Sequence, residues 1–194
     1  MKRFKSVVAL ILAAVLLTST ALAVQFPDVD PNSTIGKAVD SLSNLGVLGG
    51  YEDGTFKPDA TVTRAQFAKI VYMMENQGTT DPNADAYKGN SAFFDVAANQ
   101  WFSGYVNWAY QRKIIGGMGD GTFQPDGTLT YAQAIKMYVV ASGVDDSGYS
   151  YPNDYIAKAT ELCILNNVYY GNPNDGASRG NIAVMGYNLS LIHI

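Results

Sequence analysis

Apolar side chains recur at helical spacing in two neighbouring stretches near the start of the chain. The apolar positions are Ile35, Ala38, Val39, Leu42 and Leu45, then Phe67, Ile70, Val71 and Met74. Ser33 or Thr34 can cap the first stretch, and Gly46 is suited to the left-handed conformation that ends a helix. Thr63 is the predicted N-cap of the second stretch, and Gln66 completes a capping box. The pattern therefore predicts a helix-loop-helix unit.

The loop between these two helices returns 67 residues later. Residues 49–59 have the sequence GGYEDGTFKPD, and residues 116–126 have the sequence GGMGDGTFQPD. Aligned without a gap, residues 26–76 and 93–143 are identical at 18 positions. The identities cluster in a Phe-x-Asp-Val start, in the loop and at the cap of the second helix. Such clustering indicates an internal repeat.

A third helix-loop-helix unit is predicted within residues 144–189. Cys163 stands at the position of Gly46, and Arg179 at the position of Arg64, but the loop is two residues shorter and lacks the Gly-Thr-Phe-x-Pro core. Because one such unit cannot bury its apolar faces alone, we expect the three units to share a core. The predicted fold is mainly α, with three helix-loop-helix repeats packed as a pseudo-threefold helical bundle and short β or loop elements between the helices.

The first 23 residues have the features of a secretory signal peptide. A basic start is followed by an apolar run and an Ala-x-Ala cleavage pattern, and the run is short for a membrane span. We expect an exported protein that begins at Val24 or Gln25. The predicted divisions are a signal peptide (1–23), repeat 1 (24–76), a linker (77–92), repeat 2 (93–143), a degenerate repeat 3 (144–189) and a tail that could mark a truncation (190–194).

Removal of the signal peptide leaves ten basic and seventeen acidic side chains, a formal charge of −7 instead of −4. Scattered negative charge disfavours nucleic acid and anionic lipid as partners, and we expect no membrane contact after cleavage. Cys163 is the single cysteine, and His193, the single histidine, lies in the tail. Since no nucleophile–base pair or metal-ligand set is visible, we expect no enzyme, no cofactor and no metal site.

Arg64 is the first candidate for ligand binding. In the first turn of a helix, free backbone N–H groups and the helix dipole favour an anion, and a guanidinium can hold a carboxylate through two parallel bonds. The alternative is a surface salt bridge to Asp59 or Glu52. Arg179 repeats this position in the third unit, whereas the second unit has Tyr131, which we expect to pack on the helix start.

The first helix of the second unit is rich in aromatic residues. Trp108 and Tyr105 fall on its apolar face, and we expect them in the core. Trp101, at the start of this helix, is either a platform on which a sugar ring stacks or a packing residue.

The order of these motifs resembles the S-layer homology domain. The Phe-x-Asp-Val start, the Asp-Gly-Thr-Phe-x-Pro loop and Thr-Val-Thr-Arg-Ala-Gln carry the resemblance, the last in place of the family's Ile-Thr-Arg-Ala-Glu. It covers nearly the whole mature chain, closely in the first two units and loosely in the third. It implies non-covalent attachment to the bacterial cell wall. The implied ligand is an anionic secondary cell-wall polysaccharide, often ending in pyruvylated N-acetylmannosamine.

The resemblance also implies a set of ligand-binding residues. By position they are Arg64, Arg179, Asp28, Asp95, Trp101, Gly50 and Gly117, and Asp145, Thr34 and Tyr151 are further counterparts. The arginines would grip the ketal carboxylate, the aspartates and Trp101 would line grooves, and the glycines would let the backbone approach the sugar. Because Gln66 and Gln133 replace the motif's glutamate and Tyr131 replaces an arginine, we expect at most two functional grooves.

Two other functions stay open at this point. Asp28-x-Asp30-x-Asn32 hints at the calcium loop of a protein-docking module, although Ser33 and Val39 stand where such a loop needs glycine and glutamate. The chain could also be the anchor part of a truncated cell-surface glycan hydrolase.

Overall fold

The structure is a computed structural model, and it describes residues 26–78 and 82–192. The predicted signal peptide lies outside the described residues. The helices are α1 (Thr34–Asn44), α2 (Arg64–Glu75), α3 (Pro82–Asp85), α4 (Ser103–Gln111), α5 (Tyr131–Ala141), α6 (Asn153–Glu161) and α7 (Arg179–Ile192). The named elements of the described ranges are all helices, none of them long and apolar enough to cross a bilayer. The predicted mainly α fold class is confirmed.

The predicted helix starts form as local hydrogen bonding requires. The Ser33 hydroxyl accepts a bond from the backbone N–H of Gly36 at 2.9 Å. Thr63 and Gln66 make both bonds of a capping box, and the equivalent residues of the second unit do the same. Each box satisfies two backbone donors that the helix itself leaves free. These boxes confirm Arg64 as the first residue of α2.

The first helix of each unit ends at a residue with left-handed backbone conformation. Gly46 has φ +71°, and the equivalent residues Lys113 and Cys163 have φ +61° and +60°. A non-glycine residue costs roughly 1–2 kcal/mol in this conformation. The predicted correspondence between Cys163 and Gly46 is confirmed at the level of the backbone.

Helices pack mainly across units. We call residues 26–76, 93–143 and 144–192 segments 1, 2 and 3. Helix α4 packs on α2, α6 packs on α5, and α1 packs on α7. The first helix of each segment therefore lies against the second helix of the preceding segment, with segment 3 preceding segment 1. One core results, with members from all three segments: Leu42, Phe67, Trp108, Tyr138 and Ile182. The pseudo-threefold axis itself remains a prediction.

Three backbone hydrogen bonds at the centre link the segments into a ring. The backbone N–H of Val62 donates to the carbonyl of Ala177 at 3.0 Å. The N–H of Ala177 in turn donates to the carbonyl of Leu129 at 2.8 Å, and the N–H of Leu129 donates to the carbonyl of Val62 at 2.9 Å. All three residues are wholly buried. Since a buried N–H needs a partner, each segment depends on a neighbour for this bond. We call these residues the central ring.

Part of the predicted linker is helical and packs on segment 2. Helix α3 lies so close to α4 that a side chain at Gly104 would overlap the carbonyl oxygen of Ala84. The Asn107 amide also donates to the carbonyl of Tyr87 at 2.8 Å. The described part of the linker is therefore fixed to α4.

Candidate ligand-binding junctions

The start of each second helix is bound by the loop of another segment. In α2, the N–H groups of Arg64 and Ala65 donate to the carbonyls of Gly127 and Pro125 at 3.0 and 2.9 Å. Equivalent bonds run from Tyr131 and Ala132 to Asp175 and Pro173, and from Arg179 and Gly180 to Ala60 and Pro58. The third N–H binds the capping threonine or serine. The expectation of free N–H groups for an anion is wrong, because neighbouring carbonyls occupy them.

Junction A is the contact of Arg64 with the loop of residues 116–124. The side chain of Arg64 is 4% exposed, and its guanidinium lies 4.5 Å from the centre of the Phe123 ring. Its Nε donates to the carbonyl of Phe123 at 2.7 Å and its Nη2 to that of Gly116 at 3.0 Å. The ion pairs of the described residues do not include Arg64. The alternative of a surface salt bridge to Asp59 or Glu52 is therefore wrong.

Junction C is the contact of Arg179 with the loop of residues 49–57. Nε donates to the carbonyl of Phe56 and Nη2 to that of Gly49, both at 2.9 Å. The guanidinium also lies 4.6 Å from the Phe56 ring centre and 4.8 Å from that of Tyr51. Although segment 3 supplies the arginine, the loop that it contacts is the complete loop of segment 1.

Junction B has an aromatic stack where the other two have an arginine. Tyr131 stacks on Tyr170 of the third loop, with ring centres 4.8 Å apart and planes 19° apart. The hydroxyl of Tyr131 accepts a bond from the Asn181 amide at 2.8 Å. Tyr131 is 6% exposed. It therefore fixes the third loop through neutral contacts, and junction B contains no guanidinium.

Asp28 and Asp95 bind the same loops through their carboxylates. The two carboxylate oxygens of Asp28 accept bonds from the N–H groups of Phe56 and Lys57 at 2.9 and 2.7 Å. Asp95 makes the equivalent two bonds to the loop of segment 2 at 2.8 and 2.7 Å. The bond from Phe56 is the main reason that the pKa of Asp28 is lowered. Both oxygens of Asp28 bind the loop, and Asp28 belongs to no group of three or more His, Cys, Asp or Glu side chains among the described residues that could hold a metal ion.

The lowered pKa of Asp28 leads to a pH prediction. The ionised carboxylate of Asp28 stabilises the fold fully at pH values above 3.8, the ordinary pKa of an aspartate. This stabilisation is lost as the pH falls through the lower pKa that Asp28 has in the folded state. We expect the stability difference between wild type and Asp28→Asn to be largest near neutral pH and to shrink below pH 3.8. Urea unfolding from about pH 7 to about pH 3 measures it. A difference that stays constant over this range would contradict the assignment.

Acidic groups from other segments act on both arginines. Burial lowers the pKa of each guanidinium, whereas nearby groups act to raise it. For Arg64 these groups are the carboxylate of Asp95 and the phenol of Tyr151. For Arg179 they are Tyr51 and Asp28. The geometry of junction A itself joins an arginine of segment 1 to a loop of segment 2 that Asp95 also binds.

Trp101 lies at the surface just before α4 and is 53% exposed. The ring centres of Trp101 and Tyr105 are 6.5 Å apart. The Nζ of Lys69 lies over the Tyr105 ring, 5.9 Å from its centre. Tyr151, the equivalent of Trp101 in segment 3, is 51% exposed and lies 6.0 Å from the Nζ of Lys136. Tyr151 is linked to junction A by its effect on the pKa of Arg64, and the place of Trp101 at junction C stays a prediction from the repeat.

Gly50 and Gly117 have a packing reason to be glycine. A Cβ at Gly50 would overlap the Phe26 ring and lie 2.8 Å from the carbonyl oxygen of Thr55. A Cβ at Gly117 would lie 2.6 Å from the Phe93 ring and 2.7 Å from a loop carbonyl. These phenylalanines begin the two Phe-x-Asp-Val motifs. Sequence reasoning missed this packing, and the role of the glycines in sugar approach stays a prediction.

Other features of the described residues do not coincide with the junctions. No group of three or more His, Cys, Asp or Glu side chains among these residues is arranged to hold a metal ion. An open depression is lined by Phe26, Pro27, Val29 and Pro31. It includes none of the residues that define the junctions, which are Arg64, Tyr131 and Arg179. Among the predicted site residues, the loop contacts bring together Arg64 with Asp95 at junction A and Arg179 with Asp28 at junction C.

Comparison with known proteins gives matches for these segments. A family model, the S-layer homology domain, matches residues 25–68 and 92–135. The middle cell wall protein of Brevibacillus brevis is 36% identical over 150 residues, which are 77% of this chain and 14% of that protein. The surface layer protein of Brevibacillus choshinensis is 34% identical over 179 residues, 89% of this chain and 16% of that protein. The cellulosome-anchoring protein of Acetivibrio thermocellus is 27% identical over 116 residues, 59% of this chain and 25% of that protein.

This chain therefore spans a quarter or less of the length of these three relatives. The family model matches segments 1 and 2, and segment 3 lies outside the matched residues. The matched ranges contain both Phe-x-Asp-Val starts, both complete loops and both capping boxes. Two S-layer homology repeats are thus detected, at residues 25–68 and 92–135.

Proposed function

We propose that this chain is a non-catalytic module that attaches an exported protein to the bacterial cell wall. It does so by binding an anionic secondary cell-wall polysaccharide at junctions A and C. The observation that carries the proposal is that each junction joins a fixed guanidinium to a loop that an aspartate of another segment also binds. We infer that the remaining segment adds an exposed aromatic ring, Tyr151 at junction A and Trp101 at junction C. The cell-wall, surface-layer and anchoring relatives support the location, and the predicted signal peptide agrees with export.

Each arginine keeps donors for a ligand after it has bound its loop. A guanidinium has five N–H donors, and the loop carbonyls use only those of Nε and one of Nη2. No group of the described residues hydrogen-bonds to Nη1. Because burial and stacking already fix the guanidinium, a carboxylate at its Nη edge forms two charged hydrogen bonds with little further loss of side-chain entropy.

The exposed aromatic rings suit a sugar ring. Trp101 and Tyr151 are each about half exposed. Each shortly precedes, in the sequence, a helix that packs on a neighbouring segment. A pyranose ring can stack on such a face through its C–H groups while its hydroxyls stay in water. Junction B has Thr34 at this position and Tyr131 in place of the arginine, so we assign no anionic ligand to it.

The decisive experiment is co-sedimentation of the mature protein with cell-wall sacculi of the producing bacterium. The protein is expected to pellet with untreated sacculi and to stay in solution after acid extraction of the non-peptidoglycan polymer. Binding that survives extraction would contradict the polysaccharide as ligand and would point to peptidoglycan.

In the same assay, Arg64→Ala is expected to weaken binding about tenfold or more, because the charged donors of junction A are lost. Tyr131→Ala is expected to weaken it far less, since junction B has no anion-binding role. Both variants remove a junction contact, so circular dichroism must first confirm that each is folded at the assay temperature. Equal binding by wild type and folded Arg64→Ala would remove Arg64 from the site.

A further inference from the structure

We propose that Lys69 and Lys136 form a second cationic contact to the polysaccharide, at junctions C and A respectively. Each of these junctions then recognises two anionic groups on one glycan chain, one at the arginine and one at the lysine. This inference rests on the proposed function and specifies its ligand further.

The two lysines occupy equivalent places beside the exposed aromatic rings. They are 67 residues apart and belong to the positions that are identical between the two repeats. The Nζ of Lys69 lies 5.9 Å from the ring centre of Tyr105, the neighbour of Trp101. The Nζ of Lys136 lies 5.2 Å from the ring centre of Tyr155 and 6.0 Å from that of Tyr151. The ammonium group of Lys136 therefore lies near the Tyr151 ring itself, and that of Lys69 lies near the Tyr105 ring that neighbours Trp101.

Neither ammonium group has an acidic partner among the described residues. The ion pairs there involve Lys57, Lys88 and Lys158, each with a carboxylate three or four residues away. In a chain with more acidic than basic side chains, unpaired lysines at one position of both repeats are available to an external anion. At 5–6 Å from a ring face the attraction of the ring is weak, so it leaves the N–H donors free for a ligand.

The third junction supplies an internal comparison. With Ser178 aligned to Thr63, the residue equivalent to Lys69 in segment 3 is Val184, which is wholly buried. Junction B therefore lacks the lysine, the arginine and the exposed aromatic ring together, whereas junctions A and C have all three. A lysine present only for solubility would not be expected to be present or absent together with the arginine and the aromatic ring.

The geometry defines the chemistry of the ligand. The arginine is rigid and planar, which suits a carboxylate held at its edge, whereas a lysine is a flexible point charge that accepts a carboxylate or a phosphate equally well. With a sugar ring stacked on Trp101 or Tyr151, one anionic group faces the arginine and the next faces the lysine. The ligand class is thus a glycan with anionic groups on both sides of the stacked residue.

The test compares binding of soluble polysaccharide, released from the same sacculi by acid, to wild type, Lys69→Gln, Lys136→Gln and the double variant. Calorimetry at roughly 50 and 200 mM NaCl gives affinity and its salt dependence. Each single variant is expected to bind about threefold more weakly and the double variant about tenfold, with a smaller loss of affinity at high salt. Lys88→Gln, which removes one charge outside the junctions, is expected to bind like wild type.

This inference would be overturned if the double variant matched Lys88→Gln in affinity and in salt dependence. In that case the proposed function would still stand, provided that Arg64→Ala had lost binding. A wild-type protein that does not bind the released polysaccharide would overturn both. Repeating the titrations with carboxyl-reduced polysaccharide separates the two anions. Because reduction also weakens the arginine contact, the readout is the ratio of the affinities of wild type and the double variant for the reduced polysaccharide. A ratio of about tenfold identifies the second anionic group as a phosphate, and a ratio of about one identifies it as a carboxylate.

Discussion

Replacing Arg179 by methionine is expected to lower the free energy of unfolding by about 3 kcal/mol. The carbonyls of Phe56 and Gly49 lose their charged donor; the bond to Phe56 is buried and the bond to Gly49 part-buried, and a polar group left unpaired in a buried place costs about 1–3 kcal/mol. Methionine keeps much of the apolar contact with the Phe56 and Tyr51 rings, so the loss measures the hydrogen bonds rather than a cavity. The effect is large because these bonds join segment 3 to segment 1.

Urea unfolding of the mature chain, followed by circular dichroism, measures this difference. Arg112→Met is the matched control, since Arg112 is exposed, stacks on Trp108 at 4.3 Å and otherwise acts on the carboxyl of Glu75 through its charge. We expect that control to cost less than about 1 kcal/mol. Arg179→Lys keeps the charge but not the planar fork, and it should recover only part of the loss. An Arg179→Met protein as stable as the Arg112→Met protein would show that the two carbonyl bonds contribute little.

Gly50→Ala is expected to cost about 2–3 kcal/mol, although it adds one methyl group. The new Cβ would overlap the ring of Phe26 and press on the carbonyl oxygen of Thr55, and forcing an extra carbon into such a close contact costs about 1–3 kcal/mol. Phe26 packs on the Phe56 ring, 5.4 Å away between centres, so it cannot move without disturbing the loop that Arg179 binds.

The adjacent glycine provides the control for this substitution. A Cβ at Gly49 meets nothing within 4 Å, so Gly49→Ala should change stability by less than about 0.5 kcal/mol. The pair Gly117→Ala and Gly116→Ala repeats the comparison in segment 2, where a Cβ at Gly116 again meets nothing. Thermal or urea unfolding of the four variants is sufficient. Equal stability of the two members of a pair would contradict the proposed packing.

Features governed by local rules could be predicted from the sequence. The caps at Thr63 and Ser33 and the helix end at Gly46 depend on residues within one turn, so each is visible in a short stretch. Because the units repeat, a helix end assigned in one unit could be assigned at the same position of another. Cys163 was in this way correctly matched to the position of Gly46 despite its different side chain.

The partners of the arginines could not be predicted in this way. Arg179 donates to carbonyls 123 and 130 residues away, and a backbone carbonyl has no sequence signature. The helix start suggested a free anion site because no local rule shows that a loop from another segment supplies its acceptors. One signal was present: the third unit kept its arginine but lost its own complete loop, which fits an arginine that serves the loop of another segment.

The central ring has a consequence for the origin of the fold. Its three bonds run in one direction, from segment 1 to 3, from 3 to 2 and from 2 to 1. No bond in the ring depends on the peptide chain that joins the segments. Three separate copies of one helix-loop-helix unit could close the same ring, so a short ancestral chain could have assembled as a homotrimer before duplication joined its copies. Fusion would then have freed each copy to change alone, which is how one junction could exchange its arginine for a tyrosine while the other two kept theirs.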